Sequence, residues 1–204
     1  LKSYEFYGDN FIEYLNGDFA FAIHDENKNK TIIARDRLGL KPLYYLLMDN
    51  TFIFASEIKA LFQFPDVNKQ PNYNLLYRYA GVHYRYVDGK TDTFFKDIHQ
   101  VQAGHIVIIE NDKMNITQYW KPTVTNTYSQ LDESEIRSVF MDKLKESINL
   151  RLRADVPLAF SLSGGMDSST IVAVASELNK LDKIQSFTAC YDDPTYDERI
   201  YVDK

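Results

Sequence analysis

One cysteine, one tryptophan and no surplus of basic residues set the first limits on this chain of 204 residues. With Cys190 alone, an internal disulfide and a cysteine-rich zinc site are both excluded, and a reducing, cytoplasmic setting is expected. The formal net charge of -6 argues against a protein that neutralises many phosphates along DNA or RNA, so nucleic acid is not an expected partner. Long apolar runs are missing as well. The longest, LYYLLM at 43–48, falls far short of the roughly 18 residues a membrane span needs, so no membrane partner is expected either. The start, LKSYEFYGDN, has neither an initiator Met nor the basic and apolar regions of a signal peptide, and the end, IYVDK, closes on no cap or tail. The chain reads as an internal fragment. What is present, 45% hydrophobic and 14% aromatic residues, suffices for one large domain or two smaller packed units.

Between residues 18 and 120, short apolar runs dominate: FAFAI at 19–23, TIIA at 31–34, LYYLLM at 43–48, TFIFA at 51–55 and GHIVII at 104–109. They read as strands. Asp49-Asn50 and Asn111-Asp112 divide neighbouring runs and tolerate tight-turn conformations, which predicts at least two hairpins. Short helices are expected after Ser56 and after Asn72, with Gly81 ending the second. Residues 121–131, KPTVTNTYSQL, carry no hydrophobic period and read as a linker between a domain over 1–120 and another over 132–204. Asp132 with Glu135 forms a capping-box pattern, and Ile136, Val139, Phe140, Leu144 and Ile148 recur at helical spacing as far as Leu152. Then come a buried strand over 156–162, a helix with the stripe Ile171, Val174, Ala175 and Leu178, and a strand over 184–189. That order is a βαβ unit, hence a parallel sheet. The fold class is α+β followed by α/β.

The segment SLSGGMDSST, residues 161–170, lies between the first of these strands and the helix. There, several backbone N–H groups and the positive end of a helix dipole meet at one point, which suits an anion. Gly164 and Gly165 remove Cβ atoms that would block close approach, and Ser163, Ser168 and Ser169 add neutral donors. A carboxylate beside phosphate is repulsive unless a cation lies between them, so Asp167 points to a shared Mg²⁺. No Lys completes a GxxxxGK[ST] loop, which disfavours kinase-like or GTPase-like chemistry. A nucleophilic serine is set aside, because G-x-S-x-G is absent. A plain strand-to-helix turn is the bland alternative for a Gly-Gly pair, and its place within a βαβ unit weighs against that.

SLSGGMDSS resembles the SGGxDS pyrophosphate loop of the ATP pyrophosphatases, which join AMP to an acceptor oxygen and release pyrophosphate. On the other side of the linker, NGDFAFAIHD at 16–25, ARDRLGLKPLYY at 34–45 and FASEIKALF at 54–62 resemble the later part of a class II glutamine amidotransferase domain. Together and in this order they resemble glutamine-hydrolysing asparagine synthetase, with residues 69–102 matching no motif. The resemblance implies the C-terminal part of an Ntn-hydrolase-type glutaminase domain, followed by the start of an adenine-nucleotide α-hydrolase-like (ATP pyrophosphatase) parallel-sheet domain. It implies small-molecule substrates (glutamine, aspartate and ATP), Mg²⁺ as cofactor, and allows a homodimer. Glutamine hydrolysis would supply ammonia to a β-aspartyl adenylate, with AMP as leaving group. By motif position, Leu162 would contact the nucleotide, Ser163, Gly164, Gly165, Asp167 and Ser168 would hold pyrophosphate, Asp167 would bind Mg²⁺, and Ala189 would face the base or ribose. The family's glutaminase Cys and synthetase Glu have no counterpart within these residues, so no catalytic residue is assigned and the fragment alone is expected to be inactive. The alternatives are an amidotransferase acting on a sugar, peptide or β-lactam precursor, and a nucleotide-binding remnant without chemistry.

Elsewhere the plain readings lead. Cys190 reads as a buried core thiol, Arg35 with Asp36 and Arg37 as a structural ion pair at a turn, and Glu57 as a helix-start charge. His24, His83, His99 and His105 show no ligand spacing, and the Tyr-rich run at 77–86 reads as packing rather than base stacking.

Overall fold

In the computed structural model, which describes residues 1–49, 51–82, 91–179 and 184–202, the chain divides into two compact units, Leu1–Thr123 and Val124–Lys204. The first unit begins with helix α1 (Lys2–Tyr7) and a 3₁₀ segment (Gly8–Tyr14). Strands β1 (Ala20–Asp25), β2 (Lys30–Arg35), β3 (Tyr44–Met48) and β4 (Thr51–Ala55) follow, then helices α2 (Ile58–Leu61) and α3 (Tyr73–Val82). Strands β5 (His99–Gln100), β6 (His105–Glu110) and β7 (Lys113–Gln118) complete it. Two antiparallel sheets result, ordered β1-β2-β6-β7 and β4-β3-β5.

Side-chain alternation dictates the layering, because successive strand residues face opposite sides. Ile33 and Val107, a cross-strand pair, face the second sheet and pack with Leu43, Tyr45 and Val101. Their neighbours Ile32, Ala34 and Ile106 face the other way, onto Tyr4, Phe11 and Ile12 of the helical N-terminal stretch. The outer face of the second sheet sends Leu46 against Leu61 of α2 and Ile98. The layers therefore run helix, sheet, sheet, helix. Burial of each fully covered Ile or Val contributes about 1.5–3 kcal/mol, which makes the two interior seams the main source of this unit's stability. Polar ties add direction: Lys30, 4% exposed, reaches the Asp9 carboxylate at 2.6 Å, and the Tyr4 hydroxyl donates to Asp25 at 2.8 Å.

The hairpin turns use the residues their backbone demands. Asn111 (φ 51°) and Asp112 (φ 59°) join β6 to β7, and Asp49 (φ 51°) leaves β3; Asn50 lies outside the described residues. Asn72 caps α3 by accepting from the Leu75 amide at 3.3 Å, but Gly81 does not end that helix. Helix α3 continues through Val82, because Gly81 is not in the left-handed conformation that terminates helices. His83 and the rest of the Tyr-rich run beyond Val82 lie outside the described residues.

The second unit comprises α4 (Glu133–Arg151), β8 (Ala159–Ser161), α5 (Met166–Asn179), β9 (Gln185–Phe187) and α6 (Arg199–Val202). The capping box is formed: Asp132 Oδ1 accepts from the Glu135 amide and Glu135 Oε2 from the Asp132 amide, both at 2.9 Å. Strands β8 and β9 pair in parallel across the α5 crossover. The core of this unit is small: Ile148, Val174 and Ala175, ringed by Leu144, Leu152, Phe160, Leu178 and Ile184.

Three expectations are corrected here. The strand over 156–162 is three residues long and not buried, since Ala159 and Ser161 are exposed in a two-stranded sheet. The apolar stripes are covered only in part, because Ile136, Phe140 and Ile171 stand exposed beyond the reach of that core. Cys190 is exposed and beyond the end of β9, so it is not a core thiol.

Candidate phosphate-binding site

The loop leaves β8 through Leu162, whose amide donates to the Phe187 carbonyl at 2.9 Å and whose carbonyl accepts from the Thr188 hydroxyl at 2.8 Å. Both bonds tie the loop to the end of β9. Ser163 and Ser168 then close it, their hydroxyls 3.0 Å apart, with the Ser163 amide donating to Ser168 Oγ at 3.3 Å. Ser168 Oγ also donates to the Gly165 carbonyl at 3.2 Å, and the Gly165 amide reaches Ser163 Oγ at 3.4 Å. Gly164, at φ 73°, makes the reversal; a Cβ there would stand 2.4 Å from Tyr201 Cβ and 2.8 Å from its carbonyl carbon. Only glycine meets both demands.

Helix α5 begins immediately afterwards, so its first amides, which have no acceptor one turn back, and its positive dipole end lie at the loop. Asp167 sits exposed in that first turn. Of the residues singled out from the sequence, Leu162, Ser163, Gly164, Gly165, Asp167 and Ser168 lie in this one turn. Ala189 is exposed and directly follows Thr188, which is tied to Leu162. Thr188 and Tyr201 escaped the sequence reading, for each acts on the loop across a long stretch of chain.

Among the described residues, no group of three or more His, Cys, Asp or Glu side chains could hold a metal ion. That still fits Mg²⁺, which keeps most of its waters and takes one or two carboxylates together with substrate phosphates. Asp167 offers one such carboxylate. The described histidines have other neighbours: His24 meets Thr31 Oγ1, His105 the Ala103 carbonyl, and His99 the Tyr45 ring.

In the first unit, RDRLGLKP is a scaffold, but not through an ion pair. The Arg35 guanidinium donates to the carbonyls of Lys41, Val101 and Gly39, each at 2.7 Å. Asp36, 1% exposed, accepts from the amides of Leu38, Leu40 and Lys41 at 2.9–3.1 Å. Each side chain is consumed by backbone that a tight loop leaves without ladder partners. Arg37 donates to the Glu13 carbonyl at 3.2 Å. The Tyr119 hydroxyl donates to the Arg35 carbonyl at 2.8 Å, and burial, followed by the nearby Asp36 charge, pushes its pKa up to about 12. Glu57 precedes α2 and pairs with Lys59 at 2.6 Å, both exposed. No helix among the described residues is long and apolar enough to cross a membrane.

Comparison with known proteins gives two family matches along the chain. Residues 1–120 match the family described as Glutamine amidotransferase domain, and residues 140–204 match Asparagine synthase. Asparagine synthetase [glutamine-hydrolyzing] 3 of Bacillus subtilis is 35% identical over 178 residues, covering 86% of this chain and 28% of that protein. Putative asparagine synthetase [glutamine-hydrolyzing] 2 of Methanocaldococcus jannaschii is 31% identical over 207 residues, covering 99% and 39%. Amidase chry2 of Gibberella zeae is 36% identical over 183 residues, covering 88% and 26%. The chain thus spans between 26% and 39% of the length of these relatives. With residues 1–120 of its 204 inside the first match, the chain belongs to the glutamine amidotransferase domain family.

Proposed function

We propose that this chain is part of a glutamine-dependent, ATP-consuming ligase that makes asparagine from aspartate. The observation that carries the reading is the SGGMDSS loop, set between a parallel strand and the N-terminus of a helix of 14 residues. In this reading the β-carboxylate of aspartate attacks the α-phosphorus of ATP, the bond to the β-phosphate oxygen breaks, and pyrophosphate departs. Ammonia from glutamine then attacks the acyl carbon and AMP leaves with the bonding electron pair. The loop amides and the Ser163 and Ser168 hydroxyls bind the pyrophosphate oxygens, and donors fixed in advance favour the charged leaving group. Asp167 would hold Mg²⁺, which when bound neutralises charge on that group. The first unit supplies the glutaminase scaffold, whose catalytic groups are not among these residues.

The test is aspartate-dependent pyrophosphate release from ATP by the complete protein, with ammonia or glutamine as nitrogen source. Pyrophosphate release and asparagine formation in equal amounts are expected, together with at least a tenfold loss in Asp167→Asn from the missing carboxylate. An intact protein that releases no pyrophosphate with aspartate refutes the assignment.

A further inference from the structure

We propose that Thr188 is a positioning residue for the pyrophosphate loop, an inference that rests on the reading of that loop given above. Parallel pairing ends at Ser161 opposite Phe187. The next carbonyl, that of Leu162, is taken by the Thr188 hydroxyl at 2.8 Å. A trans peptide is planar, so its C=O and N–H point in opposite directions. Fixing the Leu162 carbonyl toward β9 therefore turns the Ser163 amide away from β9, and there it meets Ser168 Oγ at 3.3 Å. Ser168 Oγ is the hub of the loop, in contact with Ser163 Oγ at 3.0 Å and the Gly165 carbonyl at 3.2 Å. Rotation of this one peptide would withdraw the Ser163 amide from the hub and redirect the hydroxyls that face the ligand. Use of a side chain here also lets the two strands part where the ladder stops, at their carboxyl ends, where parallel sheets receive ligands. Thr188 does this from outside the loop, without touching the anion.

Two variants of the complete protein separate positioning from bulk. Thr188→Val keeps the shape and β-branching but removes the hydroxyl; Thr188→Ser keeps the hydroxyl. Product inhibition by inorganic pyrophosphate, KM for ATP, kcat and thermal midpoint are measured for both. Thr188→Val should weaken pyrophosphate inhibition and raise KM for ATP about fivefold, the equivalent of one ordinary hydrogen bond, and Thr188→Ser should restore most of that loss. Wild-type pyrophosphate affinity in Thr188→Val overturns the proposal. So does a lowered thermal midpoint with unchanged affinity, or a Thr188→Ser variant as weak as Thr188→Val. Should the wild type bind pyrophosphate but release none with aspartate, the ligase assignment fails. A fivefold weaker grip in Thr188→Val would still uphold the positioning role.

Discussion

Gly164→Ala and Gly165→Ala place the same methyl group at adjacent positions and should have different outcomes. At Gly164 the backbone is left-handed (φ 73°), which costs an L-residue about 1–2 kcal/mol. The new Cβ would also stand 2.4 Å from Tyr201 Cβ, 2.8 Å from its carbonyl carbon and 3.0 Å from its oxygen. Two of those atoms are backbone of α6, so the helix must shift, at a further cost of about 1–3 kcal/mol. At Gly165 the nearest obstacle is Ser163 Oγ at 3.3 Å, a hydroxyl that yields by rotation, and φ is not left-handed. Hydrogen exchange read by mass spectrometry on the complete protein reports the local opening free energy of each segment. Peptides covering 159–179 and 185–202 should exchange at least about thirtyfold faster in Gly164→Ala, corresponding to 2 kcal/mol or more, and within about threefold of wild type in Gly165→Ala. Equal protection in the two variants would refute the close approach of α6 to the loop.

Three more perturbations test other parts of the chain. Asp36→Ala removes the acceptor from three backbone amides and should destabilise the first unit by about 2–4 kcal/mol in urea unfolding; a loss below 1 kcal/mol would contradict the loop geometry. Burial pushes the Asp36 carboxyl up, but amides of Lys41, Leu40, Leu38 and Gly39 together outweigh it and hold it below its ordinary value. Its stabilisation is therefore present above about pH 4 and lost as pH falls through the lower native value, so the urea midpoint of wild type should drop more steeply than that of Asp36→Asn below pH 4. Asp132→Ala opens the capping box and should speed amide exchange in the first turn of α4 about fivefold, with the last turn unaffected. Exposed Cys190 should alkylate in the folded protein as fast as in denaturant, and protection there would show that something covers it.

What could be read ahead of the structure was local. The Asp132–Glu135 box spans four residues, the Asn111–Asp112 turn two, and the strand runs are contiguous, so their physics is complete within the string. Strand β7, KMNITQ, is implied in the sequence only by the Asn111–Asp112 turn before it, because its two apolar residues, Met114 and Ile116, make a short alternation and all six residues are exposed on a sheet edge. Arg35 and Asp36 were recognised as structural but assigned to each other. Their actual partners are carbonyls and amides of the folded loop, including Val101, 66 residues away. The exposure of Ile136, Phe140, Ile171 and Cys190 depends on how much protein covers a face, which a helical period does not encode. For the loop, the glycines, serines and Asp167 stand in one stretch, whereas Thr188 acts across 26 residues and announces itself by no motif.

The separation of Leu162 from Thr188 also sets an order of events during synthesis. A hairpin forms as soon as its second strand appears, but this parallel pair must wait for α5 and β9, 26 residues later, before the loop peptide is fixed. Until then β8 has no strand to pair with, although the apolar side of α5 already has Ile148 of α4 to pack against. Pairings of this kind form slowly and pass through states prone to self-association. The loop geometry of this unit is thus completed late, and any ligand that binds only the completed loop would act as a folding aid.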